Sequence, residues 1–481
     1  MTVILSERNN INNSSISITS IFFFLFGVSL GILFYFDFFF SVSFYTLISI
    51  LLCVYFFFKY KNKNIGPLSL VCIVTFLLSF IHFLPHIIIT DFEINPFTLG
   101  KGIGTIILYK KEIVELTAMI GATALSGIAF SISVFNQKIN FYDEWYLAKS
   151  QKFIKTLPLN LWFVWFFFGL ILLIGTIDIY SNIFFKKYID ISKNFLDVTP
   201  SIWLISYIIT TFVIIDAVES SKFLVTTQIK RIFLIPIILM ISAQLLTGTR
   251  ESIPLIFGII LFYYYKNYYL KKKNSKFFYV KFLFLICTIF LTSSIIEYIR
   301  SDAEGRSFDE IIELIKKYLD FDFFILGTWS AALATVLSVA HDYVDNILNF
   351  RWGQDYFDLF LSIPPEFVAD FFNYTRPITE NSGPAYEMRY GQGGTHITVL
   401  PFRNFGIFGV FIISAIWFSI ILYLEKFCTR SFSVLRSSLY VTIITIIPHF
   451  LWYGEKYAIS AFFIFLILSF FYRISLSITK L

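Results

Sequence analysis

At 481 residues, with 57% hydrophobic and 15% charged side chains, the chain falls far below the roughly 25% charge of soluble domains and reads as a membrane protein. Its net charge of +6 comes from lysines in short loops beside apolar runs, which is a positive-inside signal rather than a nucleic-acid surface. Cys53, Cys72, Cys287 and Cys428 lie in or beside apolar runs without CxxC or histidine spacing, so neither a disulfide framework nor a metal site is expected.

The first stretch, Met1 to Ser17, is rich in Asn and Ser and lacks the early basic region and small-residue cleavage pattern of a signal peptide. Apolar runs follow, and about 20 such residues suffice to cross the hydrocarbon core as a helix. Their length and lack of alternation favour helices over a closed barrel. The expected spans are about 18–37, 41–58, 68–90, 113–135, 159–180, 200–219, 232–248, 253–268, 279–298, 405–424, 437–453 and 457–475. The reading is an all-α, polytopic bundle with about twelve spans.

Alternating these spans from a cytoplasmic N-terminus puts Lys59, Lys61 and Lys63, then Lys222, Lys230 and Arg231, then Lys271, Lys272 and Lys273 on the inside. Lys426, Arg430, Arg436 and Arg473 join them, while Lys186, Lys187 and Lys193 run against the pattern. Both termini are then cytoplasmic. The chain divides into 1–299 with about nine spans, an outer loop at 300–404, and 405–481 with about three spans.

The outer loop carries fifteen Asp and Glu against two Lys and six Arg. Arginine in such excess over lysine, on the face where charge bias does not require it, points to anion recognition by a planar, permanently charged fork. Ion pairing with the loop acids explains any single arginine equally well. Ser307–Phe324 has apolar residues at helical spacing, suiting a membrane surface or a packed helix. Gly327–Val344 reads as a helix packed on the bundle, and 349–404 as irregular but ordered chain rich in Pro, Gly and aromatics.

Three constellations could carry chemistry. Thr247-Gly248-Thr249-Arg250-Glu251-Ser252, between two spans at the outer face, sets Arg250 beside a helix start, where free N–H groups and the dipole favour an anion. A headgroup-anchored Arg250–Glu251 pair is the plainer reading. Tyr386-Glu387-Met388-Arg389-Tyr390-Gly391-Gln392-Gly393-Gly394-Thr395-His396, running on to Arg403, offers glycines for close backbone approach and an imidazole for proton transfer. Such a histidine also serves as a structural hydrogen-bonder. Glu297–Asp302, with Arg300, and Trp452-Tyr453-Gly454-Glu455-Lys456 read as interfacial aromatics and snorkelling charges, Arg300 being a second phosphate ligand. No Walker loop, dinucleotide fingerprint or zinc spacing is present in the sequence.

TGTRES at Thr247–Ser252 and GGTHITVLPFRNFGIFG at Gly393–Gly409, in this span layout, resemble the Wzy-type O-antigen polymerases of the oligosaccharide repeat-unit polymerase family. The resemblance implies a GT-C-like helical fold with short helices in one late periplasmic loop, in the bacterial inner membrane. It implies a metal-independent, cofactor-free glycosyltransferase that moves a growing glycan from undecaprenyl pyrophosphate to a new lipid-linked repeat unit. Arg250, Arg300, Arg389 and Arg403 would then hold the pyrophosphate. Arg250, His396 and Glu387 would be catalytic, and Trp352, Tyr356 and Tyr390 would stack on sugars. Partners would be the lipid-linked donor and acceptor, membrane lipid, a chain-length regulator and a flippase, with no nucleic acid. An O-antigen ligase shares layout and donor. A lipid-linked oligosaccharide flippase is the alternative from a different class, with short loops and deep polar residues as its expected marks.

Overall fold

The structure, a computed structural model, describes residues 17–61, 64–80, 111–135, 328–362, 370–375, 396–430 and 434–478, with isolated positions at 211, 215, 258–260 and 284. Every regular element among these described residues is an α-helix. In chain order they are α1 (Ile18–Tyr35), α2 (Val42–Lys61), α3 (Pro67–Phe80), α4 (Lys111–Val134), α5 (Thr328–Val344), α6 (Gln354–Ser362), α7 (Val399–Arg430), α8 (Val434–Tyr453) and α9 (Glu455–Ile478).

Among the described residues four segments are long and apolar enough to cross a membrane: Ile18–Tyr35, Val42–Tyr60, Lys111–Val134 and Val399–Thr429. They fall where spans are expected at 18–37, 41–58, 113–135 and 405–424. Helices α3, α8 and α9 occupy ground expected for three more. The five spans expected between 159 and 298 lie, apart from the isolated positions, outside the described residues. So do the stretch at 307–324 and the candidates Arg250, Arg300, Glu387, Arg389 and Tyr390.

Helix α4 is the centre of the bundle. Nearly every residue from Ile113 to Ser133 is buried, against α1, α2, α5 and α7. Its Gly, Ala, Ser and Thr content lets neighbouring backbones come close, the device that replaces hydrophobic association in lipid. A Cβ at Gly127 would stand 2.5 Å from the Phe411 carbonyl oxygen of α7. One turn on, Ser131 Oγ donates to Ala415 O at 2.6 Å.

Helix α1 shows the peripheral pattern. Ser17 caps it by accepting from the Ser20 amide at 3.2 Å. Ser20, Phe23, Gly27, Leu30, Gly31 and Phe34 turn inward at three- and four-residue spacing, while Ile21, Phe22 and Leu25 on the other side stay exposed. An apolar exposed face is what a helix bordering hydrocarbon requires.

Helix α5, inside the segment expected to be an outer loop, packs against α3, α4 and α7 and buries Thr335, Val336, Leu337, Val339 and Ala340. The expectation of a packed helix there holds. Its end is joined to the α1–α2 turn, where Tyr343 Oη donates to Asp37 Oδ1 at 2.9 Å.

At the opposite end of the bundle Glu425 of α7 is fully buried and caps α3 from across the fold. It accepts from the amides of Gly66, Leu68 and Ser69 and from the hydroxyls of Ser69 and Tyr440. The free N–H groups at a helix start favour an anion, and a carboxylate supplied from elsewhere in the chain does what a local N-cap would.

Candidate functional site

The segment Ile397–Gly409 forms a bent start to α7. Gly406 breaks the helix with φ 62 and ψ −151, a conformation essentially confined to glycine. The short first piece folds back against the long one, so closely that a Cβ at Gly409 would meet Pro401 O at 2.4 Å. A break frees the last carbonyls of the preceding turn. Those of Arg403 and Asn404 accept the amides of Arg351 and Trp352, each at 3.2 Å.

That junction clamps the turn before α6 onto α7. Trp352 and Gly353 both have positive φ, 49 and 92. Asn404, wholly buried, uses both ends of its amide: Oδ1 accepts from Gly353 N at 2.9 Å, while Nδ2 donates to Leu400 O at 2.9 Å and Asp355 Oδ2 at 3.0 Å.

Asp355 is the hub. Its Oδ1 lies 3.2 Å from Arg351 Nε and its Oδ2 3.5 Å from Arg403 Nε. Arg351 also reaches Asp358 with Nη2 at 3.8 Å. Arg403 is 6% exposed, and the Arg351 side chain is 31% exposed. One guanidinium is therefore enclosed and one accessible, in an arrangement of two cations around a shared carboxylate.

Beside this cluster Tyr356 stacks on Phe405, ring centres 6.3 Å apart and 11° from parallel. Its hydroxyl donates to Glu455 Oε1 at 3.5 Å. Burial and the neighbouring Glu455 push the Tyr356 phenol well above its usual range. Glu455, expected to snorkel at the interface, is instead 1% exposed, because the turn at Gly454 (φ 72) folds it inward. Burial pushes its carboxyl up to about 8.

His396 is 1% exposed. Its amide donates to Thr335 Oγ1 at 3.0 Å, and its ring lies edge-on to Phe76 at 5.4 Å. Nδ1 accepts the Thr398 amide at 3.2 Å, which assigns the ring proton to Nε2. Burial lowers its pKa to about 3, so the imidazole is neutral and weakly basic. Histidine here caps the start of α7, a geometry unlike that of a base working near pH 7.

Of the candidates the sequence pointed to, Arg403 and Tyr356 come together, Trp352 stands at the edge with 77% exposure, and His396 lies apart, packed against α3 and α5. Sequence reading counted Arg351 only among the six loop arginines and did not single out Asp355 and Asn404. The four-residue spacing of Arg351 and Asp355 across a Trp-Gly turn was the available signal. Among the described residues no group of three or more His, Cys, Asp or Glu is arranged to hold a metal ion. Comparison with protein-family models, with curated proteins and with solved structures finds no match to this chain.

Proposed function

We propose that the chain is an O-antigen polymerase of the Wzy type, transferring a growing glycan from undecaprenyl pyrophosphate to a new lipid-linked repeat unit at the periplasmic face of the inner membrane. The observation that supports this reading is the paired-arginine cluster of Arg351, Asp355 and Arg403 at the head of α7, a helix long enough to span. A pyrophosphate leaving group needs its developing charge neutralised, and cations held in place beforehand do so at little reorganisation cost. Arg351 is held to Asp358 at 3.8 Å and is partly exposed, so a lipid pyrophosphate can replace that carboxylate.

In this reading Arg250, Arg300 and Arg389 join Arg403 around the pyrophosphate, with Arg351 added. Glu387 takes the proton of the attacking sugar hydroxyl, and His396, neutral and tied to Thr398 and Thr335, positions the segment that carries Arg403. Trp352, exposed beside the cluster, offers a face for a sugar ring. A chain-length regulator and a flippase would act alongside it.

Lipopolysaccharide gels of cells lacking the chain test the proposal. A single repeat unit on the lipid A core is expected. Loss of every repeat unit overturns the polymerase reading and favours a ligase or flippase.

A further inference from the structure

Helix α6 packs one mixed side inside the fold and leaves an aromatic side uncovered. Asp355, Leu359 and Ser362 are buried. At 3.6 residues per turn Phe357 and Phe360 point the other way, and they are 64% and 59% exposed. Gln354 and Asp358 lie between the two sides. Trp352, 77% exposed, extends the uncovered side past the helix start. A cluster of large aromatics left open on a nine-residue helix calls for an apolar or interfacial surrounding.

The height of α6 is set by α7. The amides of Arg351 and Trp352 end on the Arg403 and Asn404 carbonyls, and Asp355 meets Arg403 and Asn404. Arg403 and Asn404 lie on the short piece that the break at Gly406 folds back beside the start of the long apolar helix. From that break the exposed side of the long piece runs down through Phe408, Ile412, Ile416, Ile420 and Tyr423, with the exposed Phe405 of the short piece at its head. The Tyr356 ring stacked on Phe405 joins that stripe to α6. The uncovered side of α6 thus continues the lipid-facing stripe of a spanning helix, and Trp at its upper edge suits the headgroup level.

We infer that Trp352, Phe357 and Phe360 seat α6 in the bilayer interface, with lipid as their partner. The helix then lies on the membrane surface and holds the Arg351–Asp355–Arg403 cluster at headgroup depth. This does not depend on which reaction the chain performs.

The test uses the full chain with Cys53, Cys72, Cys287 and Cys428 replaced by Ala, carrying one added cysteine at Phe357→Cys, Phe360→Cys, Gln354→Cys or Ile416→Cys. Each is labelled with an environment-sensitive fluorophore and reconstituted in vesicles of phosphatidylcholine and phosphatidylglycerol. Brominated phosphatidylcholine then replaces the plain lipid. Labels at 357 and 360 are expected to lose emission to lipids brominated near the headgroup. The label at 416 is expected to lose emission to lipids brominated deep in the chain, and the label at 354 to aqueous iodide only. Bromolipid quenching at 416 also certifies that the bundle is folded and inserted. With that benchmark in place, quenching of 357 and 360 by iodide alone overturns the inference, as does protection from both quenchers. Protection with energy transfer between labels that grows with protein density would assign the face to a second copy instead. Should the Phe357 variant not insert, Phe360 and Trp352→Cys report on the same face.

Discussion

Asn404 Nδ2 donates to Asp355 Oδ2 at 3.0 Å, and both residues are buried. One amide thereby fixes the carboxylate around which Arg351 and Arg403 gather. The same Nδ2 also donates to the Leu400 carbonyl, and Oδ1 holds the turn at Gly353 by accepting its amide. Site geometry therefore depends on a neutral residue that carries none of the charge.

Asp355→Ala leaves the enclosed Arg403 guanidinium without its carboxylate at 3.5 Å. Removing one partner of a buried ion pair costs about 3–5 kcal/mol, and a loss of that order is expected in thermal unfolding of the detergent-solubilised chain. Asn404→Asp is expected to be harmful too, because it sets a second carboxylate against Asp355 and removes the amide's donor. Retention of wild-type stability by Asp355→Ala would count against the cluster.

Gly406→Ala places a Cβ on a residue with φ 62, 2.9 Å from Phe34 Cε1. Backbone strain of this kind costs about 1–3 kcal/mol. The melting temperature should fall, and the Gly406→Ala, Phe34→Leu double variant should recover part of the loss, since the smaller residue relieves the contact but not the strain.

Glu425→Gln puts an NH2 among groups that only donate to this position, the amides of Gly66, Leu68 and Ser69. A buried donor left unsatisfied costs about 1–3 kcal/mol, so the variant should unfold at lower temperature. Hydrogen exchange should quicken at the first turn of α3, and no such local change is expected at α6.

The pH dependence of stability has two opposed contributions. His396 is held down to about 3, so between that value and its usual one near 6.5 the unfolded chain binds a proton that the folded chain refuses. Stability from this group is complete above the unfolded value and is lost as pH falls. Glu455 is held up to about 8 from 4.5, so the folded chain keeps a proton that the unfolded chain releases. Its contribution is complete below 4.5 and is lost as pH rises. Glu455→Gln is expected to raise the relative melting temperature at pH 8 with little change near pH 4.5. His396→Gln should flatten the acid limb. The same profile for wild type and Glu455→Gln would remove Glu455 from the account.

Removal of Arg351 tests the functional reading more directly than removal of the enclosed Arg403. Arg351→Lys keeps the charge but loses the planar fork that spans Asp355 and Asp358. Long-chain polymer should be reduced in Arg351→Lys cells and absent in Arg351→Ala cells, with the protein still in the membrane by immunoblot. Arg250→Ala is expected to be equally defective. Unchanged chain length in the Arg351 variants removes this residue from the proposal.

Apolar length by itself marked α1, α2, α4 and α7, because a span must satisfy its backbone within itself and so is written as one continuous run. The same local logic found α5, and it drew attention to Arg403 through the glycines of GGTHITVLPFRNFGIFG. It missed the partners of Arg403, since Asp355 is 48 positions earlier and nothing in either neighbourhood reveals that the bend at Gly406 brings them together. It gave His396 the qualities of a base and Glu455 those of an interfacial anchor. Both roles turn on burial, and burial is set by which distant element covers a residue. Sequence by itself thus marked the long apolar helices among the described residues. Tertiary structure alone decided which charges are paired and which titratable groups are sealed from water, because desolvation and ion pairing are properties of surroundings assembled from separate stretches of chain.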